Sequence, residues 1–399
     1  VYRITIGELP FVASIFPLGG RAGEPVSIKT KGWNLGVAEL TPPAAGAGAG
    51  IHLLAASKDS LVANRVPFAL DTLPEGFDKE ANNTEKHAQK VAMPIIINGR
   101  IDREDDWDVF QFTGKAGDTV VAEVHARRLD SPLDSVIKLT DAKGKLLAFS
   151  DDREDLGAGV NTHHADSYFM VKLPESGVYY VHIGDTARNG GEEYGYRLRI
   201  SAPQPDFALR VVPSSVSLRS KNNTSVSVYA IRKDGFTGPI KLGLKDPPAG
   251  FSANPITLTG TNAVTRLGFK TDLAATKGPI SLSVEGRASN EAGEIAREAV
   301  SAEDRMQAFL WRHLVPANDF KVLVFDPSRQ PPPKRVPRPL SPELQAKAKA
   351  TGEALKAKNQ KFTKNQVAGR VRQLTALFEE GLFTDDFYGE KVAECEAAQ

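Results

Sequence analysis

Most of the chain before residue 326 alternates apolar and polar residues, which is the pattern of half-buried β-strands. The alternating runs are short, and Gly, Pro, Asn and Asp separate them. Representative runs are Val26–Lys29, Thr119–Val124, Tyr179–Ile183 and Ser225–Tyr229. The 34 Gly and 26 Pro provide turns, and no regular succession of strand and helix occurs before residue 340, so a parallel α/β fold is not expected. The pattern predicts a mainly β protein of tandem antiparallel sandwiches, immunoglobulin-like and jelly-roll-like.

The section after residue 204 contains about seven such runs, the number typical of an immunoglobulin-like sandwich. The runs are Phe207–Val212, Val216–Leu218, Thr224–Ile231, Ile240–Leu244, Ile256–Leu258, Val264–Phe269 and Ile280–Val284. An apolar stripe from Met306 to Val315 fits either a helix or an edge strand, and Phe320–Phe325 predicts one more strand.

The periodicity changes after a proline-rich, basic spacer, Gln330–Pro339. Ser341 and Pro342 are a typical cap and first residue of a helix. Val367, Val371, Leu374, Leu377 and Phe378 then follow at the three- and four-residue spacing of a helix, which breaks at Gly381. A second helix continues the apolar stripe with Leu382, Phe387 and Val392. Two short helices cannot cover this stripe by packing on each other, so we expect the tail to dock on a protein partner or a second copy. The alternative is that it folds back on its own β body.

These patterns divide the 399 residues into five parts, namely sandwiches over 1–72, 73–203 and 204–326, a linker over 327–343 and a helical tail over 344–399. The 50 basic residues nearly cancel the 49 acidic ones, so the net charge of +1 favours neither nucleic acid nor an anionic membrane as partner. No apolar run is long enough to span a bilayer. Cys395 has no second cysteine to pair with. The chain begins at Val1 inside an apparent strand, so an export signal could have been removed or could lie upstream.

Catalytic motifs do not stand out along the chain, which has no nucleophile elbow, Walker loop or dinucleotide fingerprint. The carboxylate pairs Glu192–Glu193 and Asp151–Asp152 are adjacent residues, poorly spaced to flank a glycosidic bond. The run His163–Asp166 has zinc-ligand chemistry but lacks a second histidine segment. It fits hydrogen-bonded loop residues or a second calcium contact at least as well.

The stretch from Asp78 to Asp108 carries the most specific chemistry, because hard oxygen donors cluster at both of its ends. Calcium prefers six to eight oxygen ligands of this kind. The alternative is a pair of solvated acidic loops. On spacing alone, the stretch fits a Ca²⁺ site and a pair of solvated loops equally well.

The same stretch resembles the bacterial pre-peptidase C-terminal domain, which is related to the collagen-binding domain of clostridial collagenases. The resemblance rests on the acidic linker, an Asn-Gly-x-Ile strand at Asn98–Ile101, the Asp-x-Asp-x-Phe strand at Asp106–Phe110, and the segments Gly177–Val181 and Tyr194–Leu198. It implies calcium held between the linker, at Asp78, Glu80, Asn82 and Asn83, and the loop, at Asp105, Asp106 and Asp108. The sequence departs from the family in having Ala81 for a common proline and Asp78 for a common glutamate.

Shorter resemblances cover the rest of the chain. Val12–Pro17, Gly19–Gly20 and Gly32–Leu35 resemble the IPT/TIG immunoglobulin-like fold, and the tail resembles a short C-terminal oligomerisation hairpin (SHOCT). The whole pattern is similar to secreted proteins of planctomycete-type bacteria, which implies export to the periplasm, cell surface or medium. We expect a non-catalytic binding or assembly protein for a polysaccharide or protein polymer. The alternative is the accessory part of a secreted peptidase or glycosidase.

Overall fold

The computed structural model describes residues 7–35, 39–44, 46–58, 61–153, 165–290, 293–307, 311–328, 334–357 and 363–398, with the backbone alone at 39, 58, 305–307, 311–313 and 357. Two compact units are distinguished, one comprising Ile6–Pro327 and the other Ser328–Gln399 together with Val1–Thr5. The predicted fold class is confirmed, because the first unit is built of β-sheets and the α-helices lie in the second.

The first part of the β unit is a four-stranded sheet and a two-stranded ribbon around a small core. Its strands are β1 (Phe11–Phe16), β2 (Gly19–Arg21), β3 (Lys29–Trp33), β4 (Glu39–Leu40), β5 (Gly50–Lys58) and β6 (Leu61–Asp71). The sheet has the order β2-β6-β5-β4, and β1 pairs with β3. The predicted strand from Val26 begins only at Lys29, opposite Phe16. Pro17 follows Phe16 and cannot donate to the ladder, so the ribbon ends there.

The second part is a sandwich of two five-stranded sheets. Its strands are β7 (Glu75–Phe77), β8 (Gln89–Lys90), β9 (Ile95–Arg100), β10 (Trp107–Gly114), β11 (Thr119–His125), β12 (Ser135–Asp141), β13 (Leu146–Ser150), β14 (Tyr168–Lys172), β15 (Gly177–Asp185) and β16 (Gly195–Ser201). One sheet has the order β13-β12-β15-β10-β8 and the other β14-β11-β16-β9-β7. Inward residues such as Phe110, Phe112, Tyr179 and Leu198 form one buried core between them.

The third part folds one eleven-stranded hydrogen-bonded network around a single core. Its strands are β17 (Asp206–Val212), β18 (Ser215–Arg219), β19 (Asn223–Lys233), β20 (Ile240–Lys245), β21 (Phe251–Ala253), β22 (Ile256–Leu258), β23 (Val264–Thr271), β24 (Ile280–Asn290), β25 (Gly293–Gln307), β26 (Trp311–Pro316) and β27 (Phe320–Phe325). The ambiguous segment near Met306 is strand, since β25 and β26 pair as an antiparallel hairpin. The stripe residues Phe309 and Leu310 lie outside the described residues.

A charged cluster joins the second and third parts. Asp234 follows β19 and is buried. Its carboxylate accepts two hydrogen bonds from the Arg199 guanidinium, at 2.7 and 3.0 Å, and one from the Tyr168 hydroxyl at 3.2 Å. Arg199 also donates to Glu123 at 2.6 Å. Because these groups come from strands of both sandwiches, the cluster fixes one sandwich on the other.

The helical unit contains α1 (Pro342–Ala357), α2 (Lys364–Glu379) and α3 (Asp385–Ala397). Thr363 and Gln366 form a capping box at the start of α2. Gly381, at φ +78°, ends α2 in a Schellman turn, because its N–H bonds the Phe378 carbonyl and the Leu382 N–H bonds the Leu377 carbonyl. The helix, corner and second helix predicted for the tail are therefore present.

The end of the proline-rich spacer packs on these helices. The Arg335 guanidinium lies 4.0 Å from the Phe378 ring centre, donates to the Phe383 carbonyl at 2.8 Å and pairs with Asp385 at 2.8 Å. Leu340 packs where a side chain on Gly389 would lie. The described spacer residues thus belong to the helical unit and are not a free tether.

Candidate metal centre

The acidic linker lies at one end of the second sandwich, where it crosses from one sheet to the other. Before it, β7 pairs in parallel with β9, and after it, β8 pairs in parallel with β10. Two backbone hydrogen bonds hold the linker, from Asp78 N–H to the Asn98 carbonyl at 3.1 Å and from Val109 N–H to the Asn82 carbonyl at 3.0 Å. This path brings the linker side chains to the start of β10.

Three of the seven predicted ligands form a carboxylate cluster. One oxygen each of Asp78, Glu80 and Asp108 lies within 4.8 Å of the others. Asp78 is half-buried, Glu80 is exposed and Asp108 is buried. Because like charges at this separation repel, the cluster is unfavourable as three bare carboxylates.

Asp108 lies deepest and is only partly satisfied. Its Oδ2 accepts a hydrogen bond from the Tyr196 hydroxyl at 2.5 Å, while its Oδ1 is buried and has no hydrogen-bond partner among the described residues. Gly99 makes the Tyr196 contact possible, since a Cβ there would lie 2.2 Å from the hydroxyl oxygen. Burial, reinforced by the nearby charges of Asp78 and Asp106, raises the pKa of Asp108 to about 9.

Asp78 shows the same effect more weakly. Burial, together with the charges of Asp102 and Glu80, raises its pKa to about 6, although the Arg100 N–H donates to its Oδ2 at 3.2 Å. The surroundings of both carboxyl groups therefore disfavour their ionised forms. A bound cation would lower both pKa values.

The asparagines have different roles. Asn82 is fully buried, and neither its side-chain oxygen nor its nitrogen has a partner in the described chain. Its backbone N–H points to the Glu80 carboxylate, 3.4 Å away, two residues earlier on the same linker. Asn83 instead donates to the buried carboxylate of Asp106.

The remaining two predicted ligands lie around the cluster. Asp106 accepts from Asn83 and, at 3.0 Å, from the Asp102 N–H, so it braces the loop. Asp105 has φ +59°, is exposed and pairs with Arg188 at 3.5 Å. The structure thus brings together Asp78, Glu80 and Asp108, with Asn82 beside them, and directs Asp105 away.

The donor set fits calcium. Three carboxylates and the orphaned Asn82 amide offer hard oxygen ligands and no sulfur or imidazole. A buried polar group without a partner costs on the order of 1–3 kcal/mol, and a coordinated cation would satisfy the Asp108 and Asn82 oxygens together.

The zinc alternative can be followed only in part, because His163 and His164 lie outside the described residues. Asp166 accepts hydrogen bonds from the backbone N–H groups of Ala126, Arg127 and Arg128 and pairs with the Arg128 side chain at 2.5 Å. Its carboxylate therefore holds a turn, as expected of a hydrogen-bonded loop residue.

A cavity next to the acidic linker was not predicted from sequence. It measures about 450 Å³ and is lined by Asn83, Thr84, Glu85, Lys86, Trp107, Lys138 and His182. The Trp107 ring lies flat over Gly184, where a Cβ would come within 3.0 Å of it, and the Lys138 ammonium lies 4.9 Å above the ring. One signal was available, because Trp107, Lys138 and His182 are outward-facing positions of β10, β12 and β15. Their convergence depends on the strand order, which the sequence does not display.

Comparisons with known proteins give partial similarities. No family model matches the chain. A "Probable subtilase-type serine protease" of Deinococcus radiodurans is 38% identical over 99 residues, which is 22% of this chain and 12% of that protein. The chain therefore spans only a small fraction of this relative's length.

Two solved structures align with a low TM-score. The pre-peptidase C-terminal domain of a collagenase from Bacillus anthracis aligns at 16% identity and TM-score 0.21, over 33% of this chain and all of that one. A "putative secreted protein" from Eubacterium rectale aligns at 12% identity and TM-score 0.23, over 48% of this chain and 71% of that one.

Proposed function

We propose that this protein is an exported, non-catalytic binding and assembly protein whose second sandwich is a calcium-stabilised domain of the pre-peptidase C-terminal type. The observation that carries the proposal is the cluster of Asp78, Glu80 and Asp108 beside the orphaned Asn82 side chain. Its place of action is the periplasm, the cell surface or the medium. Among the described residues, no helix combines the length and apolar character needed to cross a membrane.

Calcium has a structural task in this proposal. Asp78 and Glu80 belong to the linker and Asp108 to β10, so ligands from both would tie the linker to the sandwich end. The cation supplies positive charge that lets the buried carboxylates remain ionised. Since calcium binds only where these ligands converge, it stabilises the folded domain by mass action, about 2.7 kcal/mol at a concentration 100 times Kd.

The polymer-binding surface would be the outer face of the sheet around the cavity. Trp107 provides an aromatic surface and Lys138 an ammonium group, and Asn83 to Lys86 form one wall. That wall follows the calcium linker directly, so the cation would also hold the cavity in shape. The ligand class is a polysaccharide or a protein polymer.

A second candidate function is that of accessory domains in a secreted hydrolase. The 38% identity to part of a probable subtilase-type serine protease favours it. In that case the cavity would hold the enzyme's polymer substrate, and the catalytic residues would lie on another domain. Both candidate functions predict that this chain binds a soluble polymer without cleaving it. Co-purification of the chain with a protease would favour the accessory role over the assembly role.

Thermal unfolding with and without calcium tests the metal centre. Calcium should raise the unfolding midpoint of the wild type above its value in chelator. Glu80→Gln should remove most of this gain without lowering the midpoint in chelator, because Glu80 is exposed and its charge repels the other two carboxylates. Asp105→Asn is the matched control, since its side chain faces Arg188, and it should retain the full gain. Equal midpoints of the wild type in calcium and in chelator would sink the proposal.

A further inference from the structure

The ribbon of β1 and β3 presents aromatic and basic side chains to solvent. The cross-strand neighbours Phe11 and Trp33 are 47% and 65% exposed, and their ring centres are 5.7 Å apart. Lys29 and Lys31 alternate with Trp33 along β3, so all three side chains project from the same face. Exposed aromatic residues of this kind on a soluble domain mark interaction sites.

One edge of this ribbon is closed and the other is open. The Asn64 side chain closes the β1 edge like a short strand, accepting from the Val12 N–H at 2.7 Å and donating to the Val12 carbonyl at 2.9 Å. In the part of the chain that the structure describes, no hydrogen bond reaches the outer edge of β3. An edge of unpaired N–H and carbonyl groups is a template for another strand.

The charge on this face selects the strand that can add. A second copy of β3 would set Lys29 and Lys31 against lysines, and like charges opposite each other destabilise a strand pair. Lys29 has no carboxylate partner in the described chain, whereas Lys31 pairs with Glu192 at 2.7 Å on the surface. An incoming strand with acidic residues complements Lys29 directly, and at Lys31 its carboxylate shares the ammonium group with Glu192.

The face continues toward the second sandwich with the same character. Phe16, opposite Lys29, lies beneath the Arg100 guanidinium at 3.9 Å and contacts Phe77, which is half-exposed. The surface along β3 is therefore basic at one end and in the middle, and aromatic at the Trp33 end. A segment with carboxylates on one side and an apolar side chain at its end fits this order.

We propose that the outer edge of β3 binds an extended acidic segment of a protein partner, which adds as a strand beside Lys29–Trp33. The backbone of the segment pairs with the open edge. Its acidic side chains lie against Lys29 and Lys31, and an apolar side chain packs on Phe11 and Trp33. Strand addition of this type takes its affinity from main-chain hydrogen bonds and its specificity from alternate side chains.

The test measures binding of a fluorescently labelled octapeptide to the full chain by fluorescence anisotropy. The peptide carries Glu, Glu and Phe at alternate positions. A second peptide has Lys for each Glu, and a third carries N-methyl groups on alternate backbone nitrogens. Two protein variants are compared with the wild type. Lys29→Glu reverses a charge on the ribbon, and Lys241→Glu reverses the charge of an exposed strand lysine on the third sandwich.

The acidic peptide should bind the wild type and Lys241→Glu equally, and Lys29→Glu roughly fivefold more weakly. Lys29→Glu should in turn bind the lysine peptide more tightly than the wild type does. The N-methylated peptide should not bind, because it cannot complete the strand ladder.

Four outcomes would overturn the proposal. The first three are no binding of the acidic peptide, equal binding of its N-methylated form, and equal affinities of Lys29→Glu and the wild type for the acidic peptide. A fourth is binding of phosphatidylglycerol vesicles, lost in Lys29→Glu, without peptide binding, which would assign the face to a membrane surface. Unchanged thermal unfolding of Lys29→Glu shows that a loss of binding is not a loss of fold.

Discussion

Asp108 combines three constraints in one side chain, namely burial, a short hydrogen bond from Tyr196 and an oxygen without a described partner. The hydrogen bond stabilises the carboxylate, but burial opposes it more strongly and the pKa rises to about 9. Without a cation, the folded protein therefore holds a proton on Asp108 at neutral pH that the unfolded chain releases.

This proton predicts how stability without calcium depends on pH. The folded pKa of about 9 exceeds the ordinary value of 3.8, so the unfolded chain releases the proton first and the Asp108 contribution to stability falls as pH rises from about 4 to 9. In chelator, the unfolding midpoint of the wild type should drop over this range relative to that of Asp108→Asn, which does not titrate. In calcium the difference should shrink, because the cation favours the ionised form. Parallel pH profiles of the two proteins in chelator would refute the assignment.

Gly99 gives a second prediction at this scale. Gly99→Ala places a methyl group 2.2 Å from the Tyr196 hydroxyl oxygen, so the ring must shift and its hydrogen bond to Asp108 is disturbed. We expect a loss of roughly 1–3 kcal/mol in stability from overpacking, and weaker calcium binding by calorimetry. Gly177→Ala, where nothing lies within 4 Å of the new methyl group, is the control and should change neither. Normal calcium affinity in Gly99→Ala would show that the Tyr196 hydrogen bond does not contribute to calcium binding.

The carboxylate cluster also illustrates what the sequence could and could not specify. Acidic residues at both ends of Asp78–Asp108 predicted a cation site only together with the resemblance to the pre-peptidase C-terminal domain. They could not show which of Asp105, Asp106 and Asp108 faces the linker, because this depends on the turn at Asp105 and on its backbone angle of +59°. Whether the cluster holds calcium is still a prediction.

At the scale of elements, the local pattern predicted strands well where turns bound them closely. The strands over Phe207–Val212, Thr224–Ile231 and Val264–Phe269 are present, each within a few residues of its predicted ends. The first part of the fifteen-residue strand β25 was not predicted, because its exposed face carries many charges, and only its end, from Met306, lay in the stretch left as helix or edge strand. This strand forms hairpins with β24 and β26, but it also pairs in parallel with β17, which is distant in sequence. Strand type there is decided by neighbours that a local window does not contain.

The Asp234 cluster supplies the prediction for this scale. Asp234→Asn would leave Glu123 as the carboxylate partner of the buried Arg199. The contact between the second and third sandwiches would then be weaker. Breaking a buried ion pair from one side costs about 3–5 kcal/mol. We expect the second and third sandwiches of the wild type to unfold in one calorimetric transition, and those of Asp234→Asn in two separate ones. Asp246→Asn, in an exposed turn of the same sandwich, should keep one transition. One unchanged transition in Asp234→Asn would mean that other contacts join the two parts.

For the whole molecule, the β unit and the helical unit are each compact, and the helical unit has the smaller core. Its fully buried apolar side chains are few, and Leu374 and Phe378 are the largest. A unit of this size rarely gains more than about 3–5 kcal/mol from one core. The predicted apolar stripe is therefore divided, with Val367, Leu374 and Phe378 inside the unit and Leu382 and Phe387 each 41% exposed.

This division predicts how the tail acts in assembly. We expect the full chain to self-associate in light scattering through Leu382 and Phe387, and a chain ending at Pro327 to be monomeric. Leu382→Ser with Phe387→Ser should abolish association while leaving helical circular dichroism intact, because both side chains are partly in water already. Leu374→Ser is the contrasting variant, since it puts a hydroxyl in the core and should lower helicity as well. If the full chain stays monomeric at every concentration, a second copy is not the partner of the tail. The partner would then be a different protein.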